Sequence, residues 1–206
     1  MRNFFFLFAM IAAAHASELV GIVRVVDGDT LVLGDKHIRL EGIDAPETDQ
    51  VCLDAHGERW TCGISARDRL AEHIGFHEVS CTSNGSDRYG RTLSVCSSAG
   101  EDLNGWMVRE GFALAYVRYS QAYVADENAA RASQRGMWSG AFIAPWDYRH
   151  RNKQTVILGA VSVPISAQSK LLAPVSSAGA PSFECTIKGN VNRRGERIYH
   201  LPGQLN

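Results

Sequence analysis

Net charge is almost absent from this 206-residue chain: 21 Lys and Arg stand against 22 Asp and Glu, a formal net of −1. That excludes a protein that holds nucleic acid by bulk electrostatics, which needs a strongly basic surface. It leaves nucleic acid open as a substrate, because turnover needs only a few local cations. No C-x-x-C spacing occurs, and the one H-x-x-x-H pair, His73 and His77, has no C-x-x-C pair to complete it, so no zinc site is written in a short motif. His37 and His56 stand apart from the other histidines, and all four of His37, His56, His73 and His77 read as surface or core residues. There is no Gly-rich phosphate loop, no arguable Ser-His-Asp arrangement and no internal repeat. Beyond the N-terminus no apolar run is long enough to cross a bilayer.

The N-terminus itself reads as a signal peptide over residues 1–16. Arg2 supplies a short basic region, residues 4–14 an apolar one, and Ala14-His15-Ala16 a cleavage site. The mature chain is expected to be exported, to a periplasm or out of the cell, with no stable membrane insertion. Exported thiols are usually oxidised, which makes the five cysteines readable. Cys52 and Cys62 bracket a polar loop. Cys81 and Cys96 flank the turn SNGSDRYGR, where facing strands would bring them together. Two disulfides are expected, and Cys185 remains as a free thiol or one awaiting a partner.

The chain is organised around residues 25–48, VVDGDTLVLGDKHIRLEGIDAPET. Val23, Val25, Leu31, Leu33, Ile38, Leu40 and Ile43 carry the period-two pattern of half-buried strands, with Asp27-Gly28 and Gly34-Asp35 as turns. Three strands over 18–43 are followed by an irregular loop at 49–63 and two more strands at 78–82 and 92–96. Helices are expected at 65–74, 102–110 and 126–135, closed by Gly75, Gly111 and Gly136. A short extended segment follows at 112–117, and the aromatic residues of 137–149 are expected to pack. Five strands with about three helices suggest a β-rich α+β fold, a small OB-fold-like five-stranded Greek-key barrel. The expected domain covers 17–151, a small-residue and apolar linker 152–182, and a short charged tail 183–206. In the tail, Lys188, Arg193, Arg194 and Arg197 read as a solvated cluster.

Asp29 and Asp44 would repel across adjacent strands unless a cation sits between them. Oxygen-only ligands point to Ca²⁺ or Mg²⁺ rather than zinc. Taken alone, Asp29 is equally an Asp-Gly-Asp turn residue. Pro46 keeps Asp44 and Glu47 off a shared helix face. Arg39 is out of phase with Ile38 and Leu40, so its side chain takes the opposite face. Arg91 ends the turn DRYGR. Tyr89, Tyr116 and Tyr119 are candidates either to stack on bases or to pack on the barrel.

DGDT, IRLEGIDAPE, DRYGR and GFALAY, in that order, resemble the thermonuclease (staphylococcal nuclease) family over about residues 19–149. The resemblance implies Ca²⁺-dependent hydrolysis of phosphodiesters in DNA and RNA, with little sequence preference and 3′-phosphate products. It implies Asp29 and Asp44 as calcium carboxylates and the Ala45 backbone carbonyl as a ligand, where the family usually has threonine. It implies Arg39, Arg91 and Glu47 as catalytic residues and Tyr89 and Tyr116 as nucleotide contacts, in a monomer. The loop 52–62 departs from the family's lysine-rich one, so the grip on substrate is expected to differ. The rival expectation is a catalytically inactive nucleic-acid-binding module on the same barrel.

Overall fold

In the computed structural model, which describes residues 18–150, 155–159, 163–172, 188–191 and 197–200, the alternation seen in the sequence becomes a curled sheet. The first strand is broken at Ile22-Val23 into β1 (Glu18–Gly21) and β2 (Arg24–Asp27). β3 (Thr30–Leu33), β4 (Lys36–Leu40) and the short β5 (Ile43–Asp44) continue the meander. Leu31, Ile38 and Leu40 are fully buried, and Arg39 between the last two faces the other way. Two short strands, β6 (Cys52–Leu53) and β7 (Arg59–Trp60), lie in the stretch expected to be an irregular loop. Helix α1 (Cys62–Ile74) buries Ala66, Leu70 and Ile74, four apart, and starts three residues earlier than its expected start at 65.

β8 (Val79–Ser86) and β9 (Thr92–Ser98) complete the barrel, with β10 (Glu101–Asp102) as a side pair of β9. The sheet order is β1-β8-β9-β4-β3-β2. Because β1 and β2 are halves of one strand, the two ends of that order meet, and five strands close on themselves. β4 and β9 pair in parallel, and the other pairs of this sheet are antiparallel. This is an OB-fold-like Greek-key arrangement in an α+β chain, and closure removes the open edges that a flat sheet would leave. Cys81 and Cys96 face each other across β8 and β9 and are joined; the second disulfide joins Cys52 to Cys62.

Helix α2 (Leu103–Arg109) starts at an Asp102 cap, whose carboxylate accepts from the Asn104 and Gly105 N–H groups. Its Asn104, fully buried, ties the barrel together: the side chain accepts from Cys96 N and donates to the Ser94 and Glu41 carbonyls. β11 (Leu114–Ala115) pairs with β5, and helix α3 (Val124–Ala132) presents Glu127 to the Ala115 N–H at 2.7 Å. α3 stops three residues short of its expected end, where Gln134 turns to a left-handed backbone (φ 52°). A 3₁₀ turn at Gly136–Ser139 leads to β12 (Ala141–Ile143) and the single-turn α4 (Pro145–Tyr148).

The expected linker is not one over its described part. β13 (Ile157–Gly159) pairs with β12, and α5 (Ile165–Leu172) follows Pro164. Val163, Ala167 and Leu171 recur every fourth residue and are buried with Leu53, Ile143 and Tyr148. Val163 and Leu171 of this stretch are therefore core, while Val156 is exposed, and the chain divides into two compact units, Met1–Ala173 and Pro174–Asn206. The second unit contains a hairpin of β14 (Lys188–Val191) and β15 (Arg197–His200), with Lys188 opposite His200. The expected signal peptide, Cys185, Arg193 and Arg194 lie outside the described residues. Among those residues no helix is long and apolar enough to cross a membrane.

Two glycines let the chain close up around one segment. A Cβ on Gly28 would stand 2.7 Å from the Ala45 Cβ and 2.9 Å from that of Ala66, and a Cβ on Gly63 would collide with the Glu47 carbonyl oxygen. Gly63→Ala is expected to destabilise the fold by about 1–3 kcal/mol, as overpacking usually does. The urea midpoint measures it, and an unchanged midpoint would mean that the Glu47 backbone does not seat on α1.

Candidate active site

Asp29 sits in a turn that its neighbours shape. The Asp27 carboxylate accepts from Asp29 N at 3.0 Å, and the Leu40 N–H donates to the Asp29 carbonyl at 2.8 Å. The Asp29 side chain, nearly buried, accepts from Ala45 N at 2.7 Å and from the Thr30 hydroxyl at 3.2 Å. Its Oδ1 also pairs with Arg39 Nη1. The other nitrogen of that guanidinium, Nη2, donates to Asp44 Oδ1 at 2.8 Å and to the Ile43 carbonyl at 3.2 Å. One guanidinium thus bridges both aspartates, and Asp44 has no exposed surface.

Asp44 has a second partner. Arg149, directly after α4, donates from Nη2 to Asp44 Oδ2 at 2.7 Å and from Nη1 to Oδ1 at 3.3 Å. The same Nη1 reaches Glu47 Oε1 at 2.6 Å. Glu47 stands at the rim, its side chain 39% exposed. Its backbone is gripped by buried Gln50, whose amide donates to the Ile143 carbonyl at 2.7 Å and accepts from Glu47 N at 3.3 Å. The Tyr148 hydroxyl donates to the Asp49 carbonyl at 3.2 Å. β12 and α4 therefore hold the same segment that carries the acids.

Arg91 closes a turn built on Asp87, whose carboxylate accepts from Arg91 Nε at 2.7 Å and from the Tyr89 and Arg91 N–H groups at 2.9 and 3.0 Å. Burial would raise the Asp87 pKa, yet these bonds hold it below the usual carboxylate range. Tyr89 is 70% exposed, with the Arg88 and Arg91 guanidiniums 4.8 and 5.7 Å from its ring. Tyr116, two residues beyond the Leu114–Asp44 pair, stacks on Trp146 at 5.4 Å and meets Tyr119 edge-on.

The electrostatics follow from burial. Burial lowers the Arg39 pKa, with Arg91 pushing the same way and Asp44 and Asp27 opposing, but a guanidinium stays charged. Arg149 moves up: burial pulls down, and the bonds to Asp44 and Glu47 prevail. Asp27 is raised by burial despite its Thr30 bond and the charges of Arg39 and Arg91.

Asp29, Arg39, Asp44, Ala45 and Glu47 are thus assembled at one place. Arg91 lies within electrostatic reach of Arg39, and Tyr116 follows the strand that pairs with Asp44 and stacks on Trp146. Tyr89 stands on the Arg91 turn. Arg149 and Gln50 are the site residues that sequence reasoning missed. The only signal for Arg149 was its position at the end of the aromatic run PWDYR; nothing in local spacing joins it to an acid 105 residues away. As for a metal, among the described residues no three or more His, Cys, Asp or Glu side chains form a cage. Two buried carboxylates with oxygen donors alone are what a hard cation takes, with water completing its shell. The donor set fits.

The family model described as staphylococcal nuclease homologue matches residues 37–140. The succinoglycan biosynthesis protein ExoI of Rhizobium meliloti (strain 1021) is 32% identical over 129 residues, covering 61% of this chain and 68% of that protein. An uncharacterized endonuclease of Escherichia coli O157:H7 is 38% identical over 138 residues, covering 63% and 84%. The micrococcal nuclease of Shigella flexneri is 37% identical over 150 residues, covering 64% and 80%.

The Asp87 turn gives a pH test. Its folded pKa lies below the unfolded value of about 3.9, so its stabilisation is complete above that value and drains as pH falls through the lower one. Asp87→Asn should lower the urea midpoint at neutral pH, and the gap to the wild type should narrow below about pH 4. A gap that stays constant down to acid would refute the role given to the carboxylate.

Proposed function

The chain belongs to the staphylococcal nuclease homologue family, and on that premise we propose a Ca²⁺-dependent phosphodiesterase cutting DNA and RNA with little sequence preference. Its products would end in 3′-phosphate. The observation that carries this reading is one cluster in which buried Asp29 and Asp44 share the Arg39 guanidinium while Glu47 stands at the rim. The names of the relatives, an endonuclease and a micrococcal nuclease among them, support the same class.

Asp29, Asp44 and the Ala45 carbonyl would hold the cation. When bound, Ca²⁺ would neutralise phosphate charge and make the phosphorus more electrophilic. Glu47 orients the attacking water on the solvent side and accepts its proton as attack proceeds, in line with the departing 5′-oxygen. Arg39 and Arg91 donate to the non-bridging oxygens, where charge grows in the transition state. Tyr89 and Tyr116 offer ring faces to the flanking nucleotides. The two disulfides support export, since such bonds persist in oxidising compartments. We read the working form as a monomer.

Digestion of single-stranded DNA and of RNA by the oxidised protein tests the reading. Cleavage is expected with Ca²⁺ and not with EDTA, leaving 3′-phosphate ends. Glu47→Gln should reduce kcat severely. Arg39→Lys keeps the charge but loses the planar fork, and should lower kcat about 100-fold or more. Cleavage undiminished in EDTA would overturn the cation's place, and a folded protein that binds DNA without cutting it would be the inactive module.

A further inference from the structure

Both oxygens of Asp44 are taken. Arg39 holds Oδ1 at 2.8 Å; Arg149 holds Oδ2 at 2.7 Å and stands 3.3 Å from Oδ1. The carboxylate is fully buried, so a cation that joins it has to displace a group that covers it, and these two guanidiniums are the side chains bonded to its oxygens. The two guanidiniums are not equally free to leave. The Arg39 side chain is 11% exposed, sits in a central barrel strand and is shared with Asp29. The Arg149 side chain is 36% exposed and comes from the end of a single helical turn. Its backbone position is nonetheless set: Tyr148 bonds the Asp49 carbonyl, Trp146 stacks on Tyr116, and Gln50 bonds the Ile143 carbonyl. It also lies beyond residues 37–140, the span that the family model matches.

We propose that Arg149 is a resident counter-ion: its guanidinium holds the place on Asp44 that a divalent cation would take, and it must withdraw for the cation to load. This rests on the reading of Asp29 and Asp44 as the cation's carboxylates. The same withdrawal breaks the 2.6 Å bond to Glu47, so loading of the site and freeing of Glu47 become one event. A carboxylate free in only a fraction of molecules binds with an affinity reduced by that fraction; occupancy by Arg149 nine-tenths of the time weakens binding about tenfold. Arg149 is here a positioning residue, acting through Asp44 and Glu47.

Calorimetric titration of Ca²⁺ into the cation-free oxidised protein tests this without reference to turnover. Arg149→Ala should tighten Ca²⁺ binding about tenfold or more. Arg149→Lys should fall between that variant and the wild type, because a lysine ammonium cannot fork across Asp44 and Glu47. The lysine variant also serves if the alanine variant does not fold, since it keeps the charge. Affinity unchanged or weakened in every folded variant would overturn the proposal and leave the cation reading standing. Failure of the folded wild type and both variants to bind Ca²⁺ would instead overturn the cation reading, and this inference with it.

Discussion

The charge of Asp44 is what the rest of the site answers to. A carboxylate with no exposed surface has lost its water, and the loss is tolerable only if fixed donors replace it. Two guanidiniums do so here, one from the barrel wall and one from the segment that follows it. Removing a single partner from such a pair typically costs about 3–5 kcal/mol, because the remaining charge stays buried. Arg39 serves Asp29 in the same way. Arg39, proposed to act on phosphate, is therefore also a residue that compensates two buried carboxylates, and the charge-keeping lysine is the substitution that preserves this second role best.

That arrangement needs a scaffold able to bring distant turns within a bond length. Closure of the sheet through its broken first strand carries the 27–29 turn onto the exit of β4. The absent side chain at Gly28 lets that turn lie against Ala45 and α1. From the other side, Gly63 admits the Glu47 carbonyl, and Gln50 reaches β12. The Cys52–Cys62 bond ties the loop that follows to the first residue of α1. Glu47 is consequently placed by its backbone, with Arg149 as its side chain's ion-pair partner. An acid held this way keeps its backbone in place even when that side-chain contact is broken.

Much of this was legible in the sequence, and for identifiable reasons. Period-two burial exposed the strands, Asp-Gly pairs the turns, and the out-of-phase Arg39 its face. Asp29, Arg39, Asp44 and Glu47 lie within 19 residues, so a local reading could join them. The misses are of other kinds. Arg149 meets Asp44 across 105 residues, a contact that no spacing rule encodes. α5 was hidden because it lies in a Ser-, Ala- and Pro-rich stretch, so composition suggested a linker where Val163, Ala167 and Leu171 recur every fourth residue. The first turn of α1 opens on Cys62 and Gly63, and glycine is a poor helix former; its presence reflects tertiary approach to Glu47, which overrides propensity.

The pairing of the arginines bears on how a nearly neutral protein could handle a polyanion. Arg39, Arg91 and Arg149 are each engaged with a carboxylate: Asp29 and Asp44, Asp87, and Asp44 with Glu47. On the proposed reading, a substrate phosphate meets the Arg39 and Arg91 guanidiniums already satisfied, and it must compete for them. A diester carrying one charge competes poorly with a buried aspartate. The pentacovalent arrangement that follows attack carries more charge on the same oxygens and competes better. Donors that are held by internal acids in the ground state are then released toward substrate only as the barrier is climbed. On that reading such a site would bind its substrate weakly and its transition state well, which is the condition for binding energy to appear in kcat rather than in KM. The low net charge is consistent with that division, since it withholds the uniform attraction that would retain substrate and product alike.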